Sequence, residues 1–242
     1  MKQYVATCLM VLLSPFMALA SATTDDDEAV LRQWQAGSVV SMRAVERFGI
    51  ERCFVSEPIG DAVYARMRGK SLPDGARVKR DELRYLKVLH YNGKGEIALG
   101  EMVCNAAIAD DLTDIFKSLF KAHYPIELML LIDNYDADDE RSMTDNNSSC
   151  FCYRVVANST KLSKHAMGLA VDINPLYNPY VKRRSNGSLL VQPAKGKDYL
   201  NRRKHIPYKI DTNDLCYRLF IEHGFSWGGA WRSLKDYQHF EK

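Results

Sequence analysis

No excess of glycine or proline is present, with an ordinary 14 and 8 of 242 residues, and no internal repeat is visible. That lack of bias excludes a collagen-like or low-complexity chain, and a hydrophobic share of 46% excludes an intrinsically disordered one. Neither sign of charge is in excess: 33 Lys and Arg against 30 Asp and Glu leave +3. So small a balance does not by itself imply a nucleic-acid partner, and none is expected. Long hydrophobic runs are nearly absent, and the exception, Val5 to Met17, is too short for a comfortable membrane span. The length suits one domain of roughly 150–200 residues with an appendage.

That apolar run reads as an address. Lys2 precedes it, and Ala18-Leu19-Ala20 or Ala20-Ser21-Ala22 offers the small residues that a signal peptidase reads. The acidic run Thr23 to Glu28 follows at once. A signal peptide over 1–22 is expected, giving an exported protein that is periplasmic or cell-wall associated, with no stable membrane span after cleavage. An uncleaved anchor or a buried helix is the bland alternative. Beyond it lie five cysteines, Cys53, Cys104, Cys150, Cys152 and Cys216. An exported protein can form disulfides, but five leave at least one thiol over. A direct Cys150–Cys152 bridge would be strained, and buried unpaired thiols are the simpler reading. No second close Cys or His pair supports a zinc knuckle.

Apolar positions at helical intervals predict helix over much of 26–70, and Ser71-Leu72-Pro73-Asp74-Gly75 is a turn cluster that marks a boundary. This divides the mature chain into a helical N-terminal segment, 23–75, and a main domain, 76–242. Residues 83–90 form a β-rich run, and Asn92-Gly93 with Gly95 predicts a hairpin into Ile97-Ala98-Leu99. Ile108, Leu112, Ile115, Phe116, Leu119 and Phe120 share one face of a helix over 106–121. Ile126 to Ile132 is expected as a short buried strand, and Asp133 to Ser149 as a solvated loop. The acids at 136–140 lack the Gly and terminal Glu of a calcium loop. A last helix is expected over 211–223, capped by Asp211 or Thr212 and stopped by Gly224. This irregular order indicates an α+β fold.

Two segments hold residues suited to chemistry. In Ser163-Lys164-His165-Ala166-Met167-Gly168-Leu169-Ala170-Val171-Asp172, alternation after Gly168 predicts a strand with Asp172 facing away from its apolar side chains. Gly168 lets the chain turn between a loop-borne His165 and that strand. At the other end, Asp236-Tyr237-Gln238-His239-Phe240-Glu241, taken as a helical turn, puts Asp236 and His239 on one side. Two imidazoles and a carboxylate make a three-ligand zinc site with an open fourth position, and Asp236 stands ready as general base. From spacing alone the zinc signal is weak, since a lone His or Asp in such runs is more often structural.

The order Ser-x-His-x-x-Gly-x-Ala-x-Asp at 163–172, then Asp-x-x-His-Phe-Glu at 236–241, resembles the zinc D-alanyl-D-alanine carboxypeptidase and L-alanyl-D-glutamate peptidase family. The Asp-x-x-His ending is similar to the endolysin-like branch. The likeness covers roughly residues 80–242. It implies a hedgehog/DD-peptidase-like α+β domain with a small mixed or antiparallel sheet. It also implies one zinc per chain, held by His165, Asp172 and His239, with Asp236 as the catalytic carboxylate. By the same resemblance Ser163 contacts substrate, and Arg154 pairs with a substrate carboxylate or the developing oxyanion. An ion pair with the acidic loop is the structural alternative for Arg154. Glu241 is a rival base, ranked second because only Asp236 has the family's three-residue offset from the ligand histidine. The expected substrate is the stem peptide of peptidoglycan, cleaved at L-Ala-D-Glu or, next, at D-Ala-D-Ala. A non-catalytic zinc-stabilised wall-binding module is the alternative. The basic stretch 174–210 reads as a long loop at the cleft mouth, facing an anionic wall polymer or merely solvated.

Overall fold

The computed structural model describes residues 25–155 and 160–242. The expected signal peptide at 1–22 lies outside the described residues. Residues 25–33 form α1, and then come β1 (Val39–Val40), α2 (Met42–Phe48), β2 (Val55–Pro58) and α3 (Asp61–Met67). The hairpin β3 (Leu83–Tyr91) and β4 (Ile97–Asn105) follows, turning at Asn92 as expected, and leads into α4 (Ala109–Lys121). After α5 (Asp139–Thr144) come β5 (Ala170–Asp172), β6 (Tyr180–Arg183), β7 (Leu189–Gln192) and α6 (Leu215–Glu222). The short strands β8 (Ser226–Trp227), β9 (Lys235–Asp236) and β10 (His239–Glu241) complete the chain.

The strands make three antiparallel sheets, ordered β1-β4-β3-β2, β5-β10-β8 and β7-β6-β9. The α+β expectation holds. α4 buries Leu112, Ile115, Phe116, Leu119 and Phe120, as its pattern requires, against Leu86, Val88 and Leu99 of the hairpin and Cys216 and Phe220 of α6. Val171 of β5 and Phe240 of β10 reach the same core, which ties the small site-bearing sheet to the large one. Among the described residues no helix is long and apolar enough to cross a membrane.

Helix over 26–70 is only half the truth. β1 and β2 lie in that stretch and form the two outer strands of the first sheet. They are short, and their partners stand far along the chain, so local periodicity does not reveal them. Leu31, Trp34, Val40, Ala44, Val45 and Phe54 share the main core with β3, β4 and α4. The Trp34 indole N–H donates to the Gly100 carbonyl at 3.0 Å. Arg66 of α3 forks onto Glu101 of β4 through bonds of 2.5 and 2.8 Å, and the Tyr85 hydroxyl donates to the same carboxylate at 2.7 Å.

Four further expectations give way. Residues 126–132 form only an isolated bridge, Leu128 with Asn147, before a 3-10 turn starts at Ile132, and the Asn147 side chain bonds both the N–H and the C=O of Leu130. The Asn174 carboxamide likewise accepts from the Glu127 N–H. Asp133 to Ser149 is no solvated loop: Asp133 is buried against Ser71, α5 occupies its centre, and Asn146, Asn147 and Ser148 are buried. The basic stretch 174–210 contains the β6–β7 hairpin rather than one long loop. α6 starts at Leu215, later than expected, because the Asp214 carboxylate caps the N–H groups of Cys216 and Tyr217. All five cysteines of the described residues are buried free thiols.

Removing the acid of the Arg66–Glu101–Tyr85 cluster strands a guanidinium and a phenol. Arg66 keeps some solvent contact, so Glu101→Ala is expected to cost about 2–3 kcal/mol, below the range for a wholly buried pair. Urea denaturation should show a lower midpoint at unchanged slope, and an unaltered midpoint would contradict a structural role for the cluster.

Candidate metal centre

β5 and β10 pair in a register that sets Asp172 directly opposite His239 and Val171 opposite Phe240. Directly opposed residues of an antiparallel pair share a face. One face of this ribbon therefore carries Asp172 and His239, while Val171 and Phe240 enter the core on the other. Phe240 stacks on Phe220 at 4.2 Å between centroids, which fixes the strand and hence the imidazole. Residues 236–241 are thus two strands with a bend between them, not the expected helical turn. The backbone of Asp236 pairs with Tyr180 of β6 and that of Gln238 accepts from Ile173, so no helical bonding remains.

His165 sits in a short 3-10 turn, His165–Met167, whose start is bonded by Ser163: the Oγ accepts from the Ala166 N–H at 3.0 Å. Ser163 is buried and shapes the turn that presents His165. The turn ends at Gly168, which has φ +67°, and the Asn105 N–H and carboxamide clamp its carbonyls to the end of β4. A Cβ at Gly168 would lie 2.6 Å from the Asn105 nitrogen. Gly168→Ala is therefore expected to destabilise the fold by more than about 1 kcal/mol and to displace His165. Thermal melting would register the first effect and weakened zinc uptake the second.

His165 Nε2, the Asp172 carboxylate and His239 Nδ1 converge. Nε2 of His165 lies 3.3 Å from Asp172 Oδ2, and Nδ1 of His239 lies 3.1 Å from Asp172 Oδ1 and 3.1 Å from His165 Nε2. One ligand atom from each residue falls within 4.8 Å of the others, and the three residues are only 5%, 7% and 6% exposed. The second ring nitrogens are also occupied. His165 Nδ1 donates to the Cys150 carbonyl at 2.6 Å, and His239 Nε2 meets Glu241 Oε2 at 3.1 Å. Two imidazole nitrogens, one carboxylate and outer acceptors on both rings are the donor set of a zinc centre with an open position. The residues fit the metal.

Asp236 stands beside this cluster on β9, its Oδ1 buried without a hydrogen-bond partner among the described residues. Burial pushes its pKa up to about 6, with the Asp172 charge adding to the shift and the His239 charge opposing it. Gly228 permits the close approach, since a Cβ there would lie 2.7 Å from the Asp236 carbonyl and 3.3 Å from His239 Cβ. Trp231, just beyond, sets its ring 5.3 Å from that of His239 and walls the site.

Arg154 lies nearby: its carbonyl accepts from the Ser163 N–H, and its guanidinium is ion-paired with Asp139 at the start of α5. This is the pairing with the acidic stretch that the sequence left open. Burial raises the Asp139 pKa, opposed by Arg154 and His165 and reinforced by Asp172, so Asp139 borders the centre electrostatically. Asp139, half-buried, is a site neighbour that sequence reasoning missed, because nothing in an acidic run marks one member as facing the site. Met143 of α5 touches the Gln238 side chain, so the helix also borders the Asp-x-x-His segment.

Geometry and donor chemistry thus define a metallopeptidase-type centre. Residues 157–242, the part of the chain that carries all three cluster residues, match the family model described as D-alanyl-D-alanine carboxypeptidase, and the match together with the cluster supports a zinc-dependent peptidase. No curated protein and no solved structure matches the chain.

Burial disfavours charge on His239, but its hydrogen bonds to Asp172 and Glu241 and the charges of Asp172 and Asp236 override this and hold its pKa at about 10. Burial likewise works against ionised Asp172, yet the His165 charge and the bonds from both imidazoles keep it well below the usual carboxylate range. At neutral pH the metal-free His239 is therefore protonated, and a metal must displace that proton. Zinc affinity is expected to rise with pH from 6 towards 9, with close to one proton released per zinc. Calorimetry in buffers of different ionisation enthalpy measures that proton, and a pH-independent affinity would contradict the assignment.

Proposed function

We propose that the protein is an exported zinc peptidase that cleaves the stem peptides of peptidoglycan. The observation that carries this reading is the Asp236 carboxylate beside the His165–Asp172–His239 cluster, with its Oδ1 left without a hydrogen-bond partner among the described residues, in a region matching a peptidase family. A purely structural metal site has no use for an acid beside it that keeps an unpartnered, buried oxygen. That observation also weighs against a non-catalytic wall-binding module.

When bound, zinc would supply a Lewis acid for the scissile carbonyl and a lowered pKa, near ~7, for the attacking water. His165, Asp172 and His239 hold it. Asp236 takes the proton from the water and passes it to the leaving amine, a task suited to a carboxylate whose pKa burial raises towards neutrality. Arg154 leaves Asp139 to pair with a substrate carboxylate or the developing oxyanion. Ser163 keeps the His165 turn in place and reaches substrate only from that position. Trp231 supplies an apolar wall for the stem-peptide side chains.

Two bonds compete. The Asp-x-x-His ending supports cleavage between L-Ala and D-Glu, whereas the description of the matching family supports removal of terminal D-Ala. Mass spectrometry of defined muropeptides, with chelator and with zinc restored, tests the reading and identifies the bond from the product masses. Chelator-sensitive cleavage restored by zinc is expected. Asp236→Ala should abolish turnover and keep zinc, His165→Ala should lose zinc, and Arg154→Ala should lower kcat/KM by roughly 100-fold or more. Normal turnover by Asp236→Ala would refute the mechanism.

A further inference from the structure

β10 alternates, so Glu241 lies two residues beyond His239 on the same face of the strand. Its carboxylate Oε2 stands 3.1 Å from His239 Nε2, the ring nitrogen opposite the Nδ1 that faces Asp172 and His165. We infer that Glu241 is a positioning residue for the metal centre: it holds His239 with Nε2 protonated, leaving Nδ1 as the nitrogen that takes the metal. This rests on reading the cluster as a zinc site. A carboxylate on that side has the imidazole ring between itself and the metal position, so Glu241 cannot serve as the base, and the role falls to Asp236.

The backbone makes the placement rigid. β10 is the central strand of its sheet, and Glu241 is paired to Ala170 on one side and Ser226 on the other. The Ser226 hydroxyl also donates to the Glu241 carbonyl at 3.2 Å. The Glu241 backbone is thus fixed before any metal arrives, with its carboxylate on the His239 ring. The two ligand histidines are oriented differently: His165 by the neutral Cys150 carbonyl, His239 by an anion. An anionic acceptor on the far nitrogen raises the donor strength of the near one and fixes its tautomer.

The test measures zinc affinity of the mature full-length protein by competition with a chromophoric chelator. Glu241→Ala and Glu241→Gln are compared with the wild type, and melting of each metal-free protein reports folding. Glu241→Ala should bind zinc roughly 10–100-fold more weakly. Glu241→Gln, whose amide oxygen still accepts from Nε2, should recover most of that loss. Its cobalt-substituted spectrum should stay near that of the wild type, while the Ala variant's shifts. Equal affinity of wild type and Glu241→Ala would overturn the inference alone; a wild type that takes up no zinc would overturn the zinc reading and this inference with it. Should the Ala variant fail to fold, long-range proton–nitrogen NMR of the zinc-loaded wild type decides. Protonated Nε2 on His239 supports the assignment, and protonated Nδ1 contradicts it.

Discussion

The antiparallel pairing of β5 with β10 is the constraint on which the rest depends. Its register makes Asp172 and His239 face one another, and its alternation sends Val171 and Phe240 into the core on the opposite side. One strand pair thus performs two tasks, anchoring the small sheet by burial and presenting two ligands on a rigid backbone. A slip of one residue would exchange the two sets, burying charge in the core and exposing Phe240. The third ligand comes from a separate turn, yet it is locked to the same frame. The Cys152 N–H donates to the His165 carbonyl, and Ser149 pairs with Asp172, so the 149–152 segment braces both.

Holding a carboxylate and two imidazoles this deep is costly unless each polar atom is answered. Here the answers are local: the Cys150 carbonyl for His165, Glu241 for His239, and both imidazoles for Asp172. Mutual proximity of nitrogens and carboxylate, with protons shared among them, stabilises the metal-free form. A divalent cation displaces a proton from among them and places its double charge between the same donor atoms. Asp236 stands apart from this settlement, its oxygen unanswered, and an acid so placed is available for proton transfer.

His165, Asp172 and His239 are legible in the sequence because their ordered spacing around Gly168 and before Phe240 resembles a family pattern. The β3–β4 hairpin and α4 are legible because alternation, an Asn-Gly turn and a one-sided apolar face are local signals. What escapes is set by distant partners. The strands β1 and β2 exist only because β4 and β3 receive them, and 126–132 meets the side chains of Asn147 and Asn174 and forms only an isolated bridge. Residues 236–241 offer an i, i+3 spacing that fits a helical turn as well as a bent strand. Only pairing with β6 and β5 decides between them, and that choice moves Glu241 from rival base to outer support of His239.

The most direct test of the central claim is a crystal structure of zinc-loaded protein with anomalous data at the zinc edge. One peak per chain is predicted, bonded to His165 Nε2, an oxygen of Asp172 and His239 Nδ1 at about 2.0–2.2 Å, with Asp236 facing the open position. A peak elsewhere, or zinc bonded through His239 Nε2 with Glu241 displaced, would contradict it.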